Sequence, residues 1–106
     1  MTDMLFRLEQ MILERREADP TVSYVAKLRA KGRRKMAQKM GEEAVETVIA
    51  ALTEDKAALT GEAADLLFHL LALLADCDVS LAEVCAELER REGVSGLDEK
   101  AARPKA

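Results

Sequence analysis

Apolar residues recur along most of this chain at three- and four-residue intervals, the spacing at which side chains share one side of an α-helix. Met4, Leu5, Leu8, Met11 and Ile12 open the pattern and predict an amphipathic helix ending near Ala18, where Asp19-Pro20 interrupts it. Asp19 is then expected to cap a short second helix, with Pro20 at its first position, Tyr24 and Leu28 on one side and Gly32 as terminator. From Arg33 to Leu52 a longer helix is expected, with Met36, Met40, Ala44, Val48 and Ala51 in one stripe and Val45, Ile49 and Leu52 beside it. Gly41 is its weak point, since glycine inside a helix costs roughly 1 kcal/mol relative to alanine, and it reads equally as a defect, a boundary or room for a ligand.

Asp55 is placed to cap the next helix, which is apolar almost all round from Leu66 to Leu74 and so needs neighbours on every side. One small chain supplies few of them, which predicts a homodimer whose interface uses this helix. Ser80 and Glu83 have capping-box spacing at the start of a further helix, whose Leu81, Val84, Cys85 and Leu88 are expected to face inward and which Gly93 ends. Residues 94–106 lack apolar periodicity and predict a flexible tail after a helical domain spanning 1–93. The expectation is an all-α protein, a small bundle of four to five helices.

Composition changes this picture little: with 106 residues, no Trp, one Tyr and two Phe, the chain is one domain rich in helix formers. A net charge of −4 argues against nucleic acid as a partner. Cys77 and Cys85 lack metal-site spacing and read as reduced core thiols. No secretion signal is visible, and the uncharged apolar run from Leu66 to Ala75 falls short of the about 20 residues that cross a bilayer. A cytoplasmic protein without membrane attachment is expected.

The acidic residues carry the chemistry. Glu43 with Glu46, and Glu62 with Asp65, form two pairs at three-residue spacing inside sequence that otherwise reads as buried helix, and Glu42 lies one turn before Glu46 as a further oxygen donor. Taken singly, each acid reads as solvated surface; taken together, next to an apolar run, they point to two claws closing on a hard cation. Oxygen-only ligands favour magnesium, with manganese as a substitute, and magnesium leaves positions open for phosphate oxygens. Glu43 or Glu46 is the candidate general base, which spacing alone does not separate from a metal ligand.

Arg33, Arg34, Lys35 and Lys39 precede the acids by one to three turns, where Lys39 first, and Lys35 after it, would reach a polyphosphate; ordinary solubilising charge is the competing reading. His69 shares the side of Asp65 and reads either as a hydrogen-bonded core histidine or as a support for the acids. Being the only histidine, it cannot complete the two Glu-x-x-His elements of a di-iron bundle within one chain.

The segments Gly41-Glu42-Glu43-Ala44-Val45-Glu46-Thr47 and Glu62-Ala63-Ala64-Asp65-Leu66-Leu67-Phe68-His69 resemble those of the phosphoribosyl-ATP pyrophosphohydrolase family, and the acid arrangement is shared with all-helical MazG-like and dimeric dUTPase-type enzymes. Ser23-Tyr24-Val25-Ala26-Lys27-Leu28 leading to Gly32, and Ser95-Gly96-Leu97-Asp98-Glu99-Lys100-Ala101-Ala102-Arg103, narrow the resemblance to the first of these. Asp98 stands where that family more often has Glu, and Phe68 where Tyr is common. The resemblance implies magnesium-dependent hydrolysis of phosphoribosyl-ATP to phosphoribosyl-AMP and pyrophosphate, the second step of histidine biosynthesis, without the cyclohydrolase activity of fused relatives. It also implies that Ser95, Lys100 and Arg103 close over the substrate. A housecleaning hydrolase of noncanonical nucleoside triphosphates and a non-catalytic helical dimerisation module are the competing functions.

Overall fold

The computed structural model describes residues 2–104, which form six α-helices: α1 (Thr2–Arg15), α2 (Tyr24–Lys31), α3 (Arg33–Thr53), α4 (Lys56–Asp76), α5 (Leu81–Arg91) and α6 (Gly96–Ala102). No strand occurs among the described residues, so the all-α expectation holds. The sixth helix lies in the segment expected to be a flexible tail, of which residues 105 and 106 lie outside the described residues.

Two starts match their predicted caps. The Asp55 side chain accepts a hydrogen bond from the Ala58 N–H at 2.9 Å, and Ser80 and Glu83 complete a reciprocal capping box on α5. The start of α2 differs from expectation. Asp19 Oδ1 accepts from both the N–H and the hydroxyl of Thr21, each at 2.8 Å, so that carboxylate is consumed in a local turn over Pro20–Val22. The cap passes to Ser23, in extended backbone, whose hydroxyl oxygen accepts from Ala26 N–H at 3.2 Å. Likewise Ser95 accepts from Asp98 N–H at 3.1 Å and starts α6. That helix forms mainly from helix formers (Leu97, Glu99, Lys100, Ala101 and Ala102) rather than from burial, and its Leu97 is 83% exposed.

The core lies where α1, α2, the start of α3 and the second half of α4 converge: Ile12, Val25, Leu28, Met36, Leu71, Ala72, Ala75 and Leu81. Across its edge Arg33 holds the end of α4, with Nε 2.8 Å from Asp76 Oδ2 and Nη2 donating to the Asp76 carbonyl at 2.6 Å. Glu9 on α1 accepts the Leu81 N–H at 2.7 Å and so anchors the start of α5. Cys77 does not join the core; it is exposed at the C-terminal cap of α4, where Asp78 takes a positive φ of 59° to reverse the chain. Leu88 is also exposed, because α5 meets the bundle only near its N-terminal end.

Beyond the core, the second half of α3 and the first half of α4 pair mainly with each other. Val45, Val48, Ile49 and Leu52 on α3 and Leu67 on α4 are exposed there. The radius of gyration, 15.8 Å, exceeds the roughly 13 Å of a compact chain this long, in keeping with the projecting two-helix arm and the exposed α6. By length and mean hydropathy α4 would pass as a membrane span, but Glu62 and Asp65 sit in its middle turns. A carboxylate at the centre of a spanning helix costs about 2.5 to 3.5 kcal/mol, which disfavours that placement.

Candidate metal centre

Three carboxylates meet where the core ends and the arm begins: Glu43 on α3 with Glu62 and Asp65 on α4 each offer an oxygen within 4.8 Å of the others. Helical pitch places them there, because Glu43 and Glu62 occupy facing turns of an antiparallel pair and Asp65 follows Glu62 by one turn. A threonine ties the two helices at this level. The Thr47 hydroxyl lies 2.8 Å from the Glu43 carbonyl and 3.2 Å from that of Glu62, so one side chain spans the main chains of both acid pairs.

The electrostatics are those of a site short of positive charge. Glu43 Oε2 and Glu62 Oε2 are buried and have no hydrogen-bond partner. Burial pushes the Glu43 carboxyl above its ordinary pKa, the adjoining Glu46 pushes it further, and His69 partly offsets the rise. Glu62 is raised in the same way, first by desolvation and then by Glu46, Glu43 and Asp65. Glu46 is thus beside Glu43 and Glu62, though outside the group of three that converge on one point. Uncompensated buried carboxylate oxygens are unfavourable, and a hard divalent cation is the group this all-oxygen donor set fits.

Other residues singled out in the sequence lie elsewhere. Glu42 turns away from the cluster: Gln38 Nε2 donates to it at 2.8 Å and Lys39 Nζ stands 3.6 Å off, and the Gln38 bond foremost holds its carboxyl below the usual range. Lys39 is therefore paired at the surface beside the acids, and Lys35 lies one turn further back on the same helix. Ser95 caps α6, Lys100 lies in its last turn and Arg103 is its C-terminal cap, all exposed. Gly41 is neither a boundary nor a close approach; α3 runs straight through it, and a Cβ there would meet nothing within 4 Å.

His69 is buried, and both ring nitrogens are engaged. Nδ1 lies 2.9 Å from the Asp65 carbonyl, which can only accept, so Nδ1 carries the proton. Nε2 lies 3.2 Å from the Tyr24 hydroxyl. The histidine thus supports the main chain under Asp65, not its carboxylate. The Tyr24 and Thr47 links have no sequence signal, because their partners lie 45 and 15 residues away.

Comparison with known proteins agrees with this geometry. Residues 5–92 match the family model described as phosphoribosyl-ATP pyrophosphohydrolase, which covers both acid pairs. A phosphoribosyl-ATP pyrophosphatase of Rhizorhabdus wittichii is 66% identical over 105 residues, covering 99% of each chain. The enzyme of the same name from Novosphingobium aromaticivorans is 63% identical over 95% of this chain and 94% of its own. That from Erythrobacter litoralis is 66% identical over 93% of this chain and 95% of its own. A match of this length, centred on the helices that carry the acids, shows that the chain belongs to the phosphoribosyl-ATP pyrophosphohydrolase family.

Proposed function

We propose that this chain hydrolyses phosphoribosyl-ATP to phosphoribosyl-AMP and pyrophosphate in histidine biosynthesis, using a divalent cation held by Glu43, Glu62 and Asp65, and that it works as a homodimer in the cytoplasm. The two orphaned carboxylate oxygens, Glu43 Oε2 and Glu62 Oε2, are the observation that carries the metal reading. Magnesium suits the oxygen-only set, and manganese is the expected substitute. When bound, such an ion supplies neutralisation of the charge that develops on phosphate oxygens during in-line displacement.

The chain's own residues do the rest. Glu46, exposed and outside the converging three, is the better placed of Glu43 and Glu46 to take the proton of the attacking water as the anhydride between the α and β phosphates breaks. Lys39, freed from Glu42 by a competing phosphate, and Lys35 behind it would contact the polyphosphate away from the acids. Ser95, Lys100 and Arg103 on the short exposed α6 would close over the bound nucleotide.

Dimerisation is supported by the projecting arm, whose exposed Val45, Val48, Ile49 and Leu52 form the kind of apolar face a second copy would bury. Sedimentation showing only monomer at micromolar concentration would defeat that part. Pyrophosphate release from phosphoribosyl-ATP, measured with and without magnesium, tests the activity. Release that needs the ion is expected, and no release would refute the assignment; preferential turnover of noncanonical nucleoside triphosphates would instead favour a housecleaning role.

A further inference from the structure

One signature segment has no part in the acid site. Ser23–Leu28 opens α2, and beside it runs a groove of about 490 Å³, a size within the roughly 300–1,000 Å³ typical of small-molecule sites. Pro20 and Val22 give it an apolar wall, Tyr24 an aromatic surface and Lys27 a cation. Tyr24 is held firmly: its ring stacks on Phe68 with centroids 5.9 Å apart, and its hydroxyl hydrogen-bonds with His69. Half of its surface nevertheless remains exposed. Lys27, one turn on, is exposed and has no acidic partner among the described residues, whereas Arg29 and Arg33 pair with Glu17 and Asp76.

His69 connects this groove to the helical turn that carries Asp65. His69 reaches Tyr24 at 3.2 Å on one side and the Asp65 carbonyl at 2.9 Å on the other. The substrate carries phosphate at both ends, the triphosphate on one and the phosphoribosyl phosphate on the other, with a purine between. The acid cluster, neutralised by a cation, accounts for only one end.

We propose that the groove beside α2 binds the phosphoribosyl-purine part of the substrate, with Tyr24 as the stacking surface for the purine and Lys27 as the contact for the terminal phosphate. This rests on the phosphoribosyl-ATP reading and names its second subsite. Stacking on an aromatic ring suits a purine, and an ammonium without an acidic partner among the described residues, in a groove that also carries the Thr21 and Ser23 side chains, suits a phosphate.

The test pairs steady-state pyrophosphate release with calorimetric binding of phosphoribosyl-AMP, the product, and of AMP, its analogue without the phosphoribosyl group; both lack the pyrophosphate and so report on the far subsite. Lys27→Gln should raise KM for phosphoribosyl-ATP about tenfold, the loss expected for one charge-assisted contact, with kcat near wild type. It should also abolish the preference for phosphoribosyl-AMP over AMP. Tyr24→Leu should weaken both substrate and phosphoribosyl-AMP, whereas Tyr24→Phe keeps the ring and should keep the affinity. Unchanged KM and unchanged phosphoribosyl-AMP binding in Lys27→Gln and Tyr24→Leu would overturn the subsite while leaving the activity standing. A loss in Tyr24→Phe equal to that in Tyr24→Leu would also overturn it, by assigning the effect to the hydroxyl. Wild-type protein that releases no pyrophosphate from phosphoribosyl-ATP would remove the function and the subsite together.

Discussion

Replacing Thr47 by valine isolates the tie between the two acid pairs, because valine keeps the branched shape and removes only the hydroxyl. That hydroxyl has one proton, shared between the Glu43 carbonyl at 2.8 Å and the Glu62 carbonyl at 3.2 Å, so about one hydrogen bond is lost, not two. Both carbonyls lie inside helices and also accept the main-chain N–H four residues on, so neither is left orphaned. The larger penalty of an unsatisfied buried group is therefore avoided, and the stability loss should be about 1 kcal/mol. For a domain of this size that is a fall in Tm of roughly 4–8 °C. Turnover should suffer more than stability, because the hydroxyl fixes the relative height of Glu43 and Glu62, and small misplacements of reacting groups are costly; a fall in kcat of at least about tenfold is expected. Thermal melting and pyrophosphate release on the same preparations decide the matter. A variant that melts as expected but turns over at the wild-type rate would show that the tie holds only the fold. A loss above about 3 kcal/mol would refute the claim that both carbonyls keep a partner.

Glu43→Gln should raise the Tm of metal-free protein, by relieving a buried carboxylate beside Glu46, while shrinking the gain that magnesium confers. Because Glu43 and Glu62 have folded pKa values above the ordinary 4.5, the folded state holds their protons more tightly than the unfolded chain does. Their contribution is therefore greatest at low pH and is lost as pH rises from 4.5 through the raised values, so the melting difference between wild type and Glu43→Gln should widen upward in that window without metal; a constant difference would contradict the raised pKa. Gly41→Ala should stabilise α3 by about 0.5–1 kcal/mol, since a Cβ there meets nothing, and unchanged kinetics would show that the glycine leaves no room needed by substrate. Removing residues after Gly93 should cut kcat/KM for phosphoribosyl-ATP by at least about tenfold while circular dichroism loses only the short α6, and full activity would refute closure by that segment.

Much of the fold was legible because its signals are local. The periodic apolar positions of α1, α3 and α4, the Asp55 cap and the Ser80–Glu83 capping box depend on residues within a turn or two of one another. The structure adds detail where two local signals competed or where burial was not the criterion. Asp19 closes a turn with Thr21 and leaves the cap of α2 to Ser23, and α6 forms on helix propensity in a segment without an apolar stripe. Cys77 and Leu88 follow apolar residues at helical spacing but lie outside the small core.

At the site, three-residue spacing by itself determined that Glu43 and Glu46 share one face of a helix and Glu62 and Asp65 one face of another. Tertiary packing of α3 against α4 decided which oxygens converge, bringing Glu43, Glu62 and Asp65 within 4.8 Å, setting Glu46 beside them and turning Glu42 outward to Gln38 and Lys39. It also decided the support around them, the Thr47 tie and the Tyr24–His69–Asp65 chain. Helical pitch is a property of neighbouring residues, so sequence reveals it; the height and rotation at which two helices dock depend on every side chain between them, and only the folded molecule sets those.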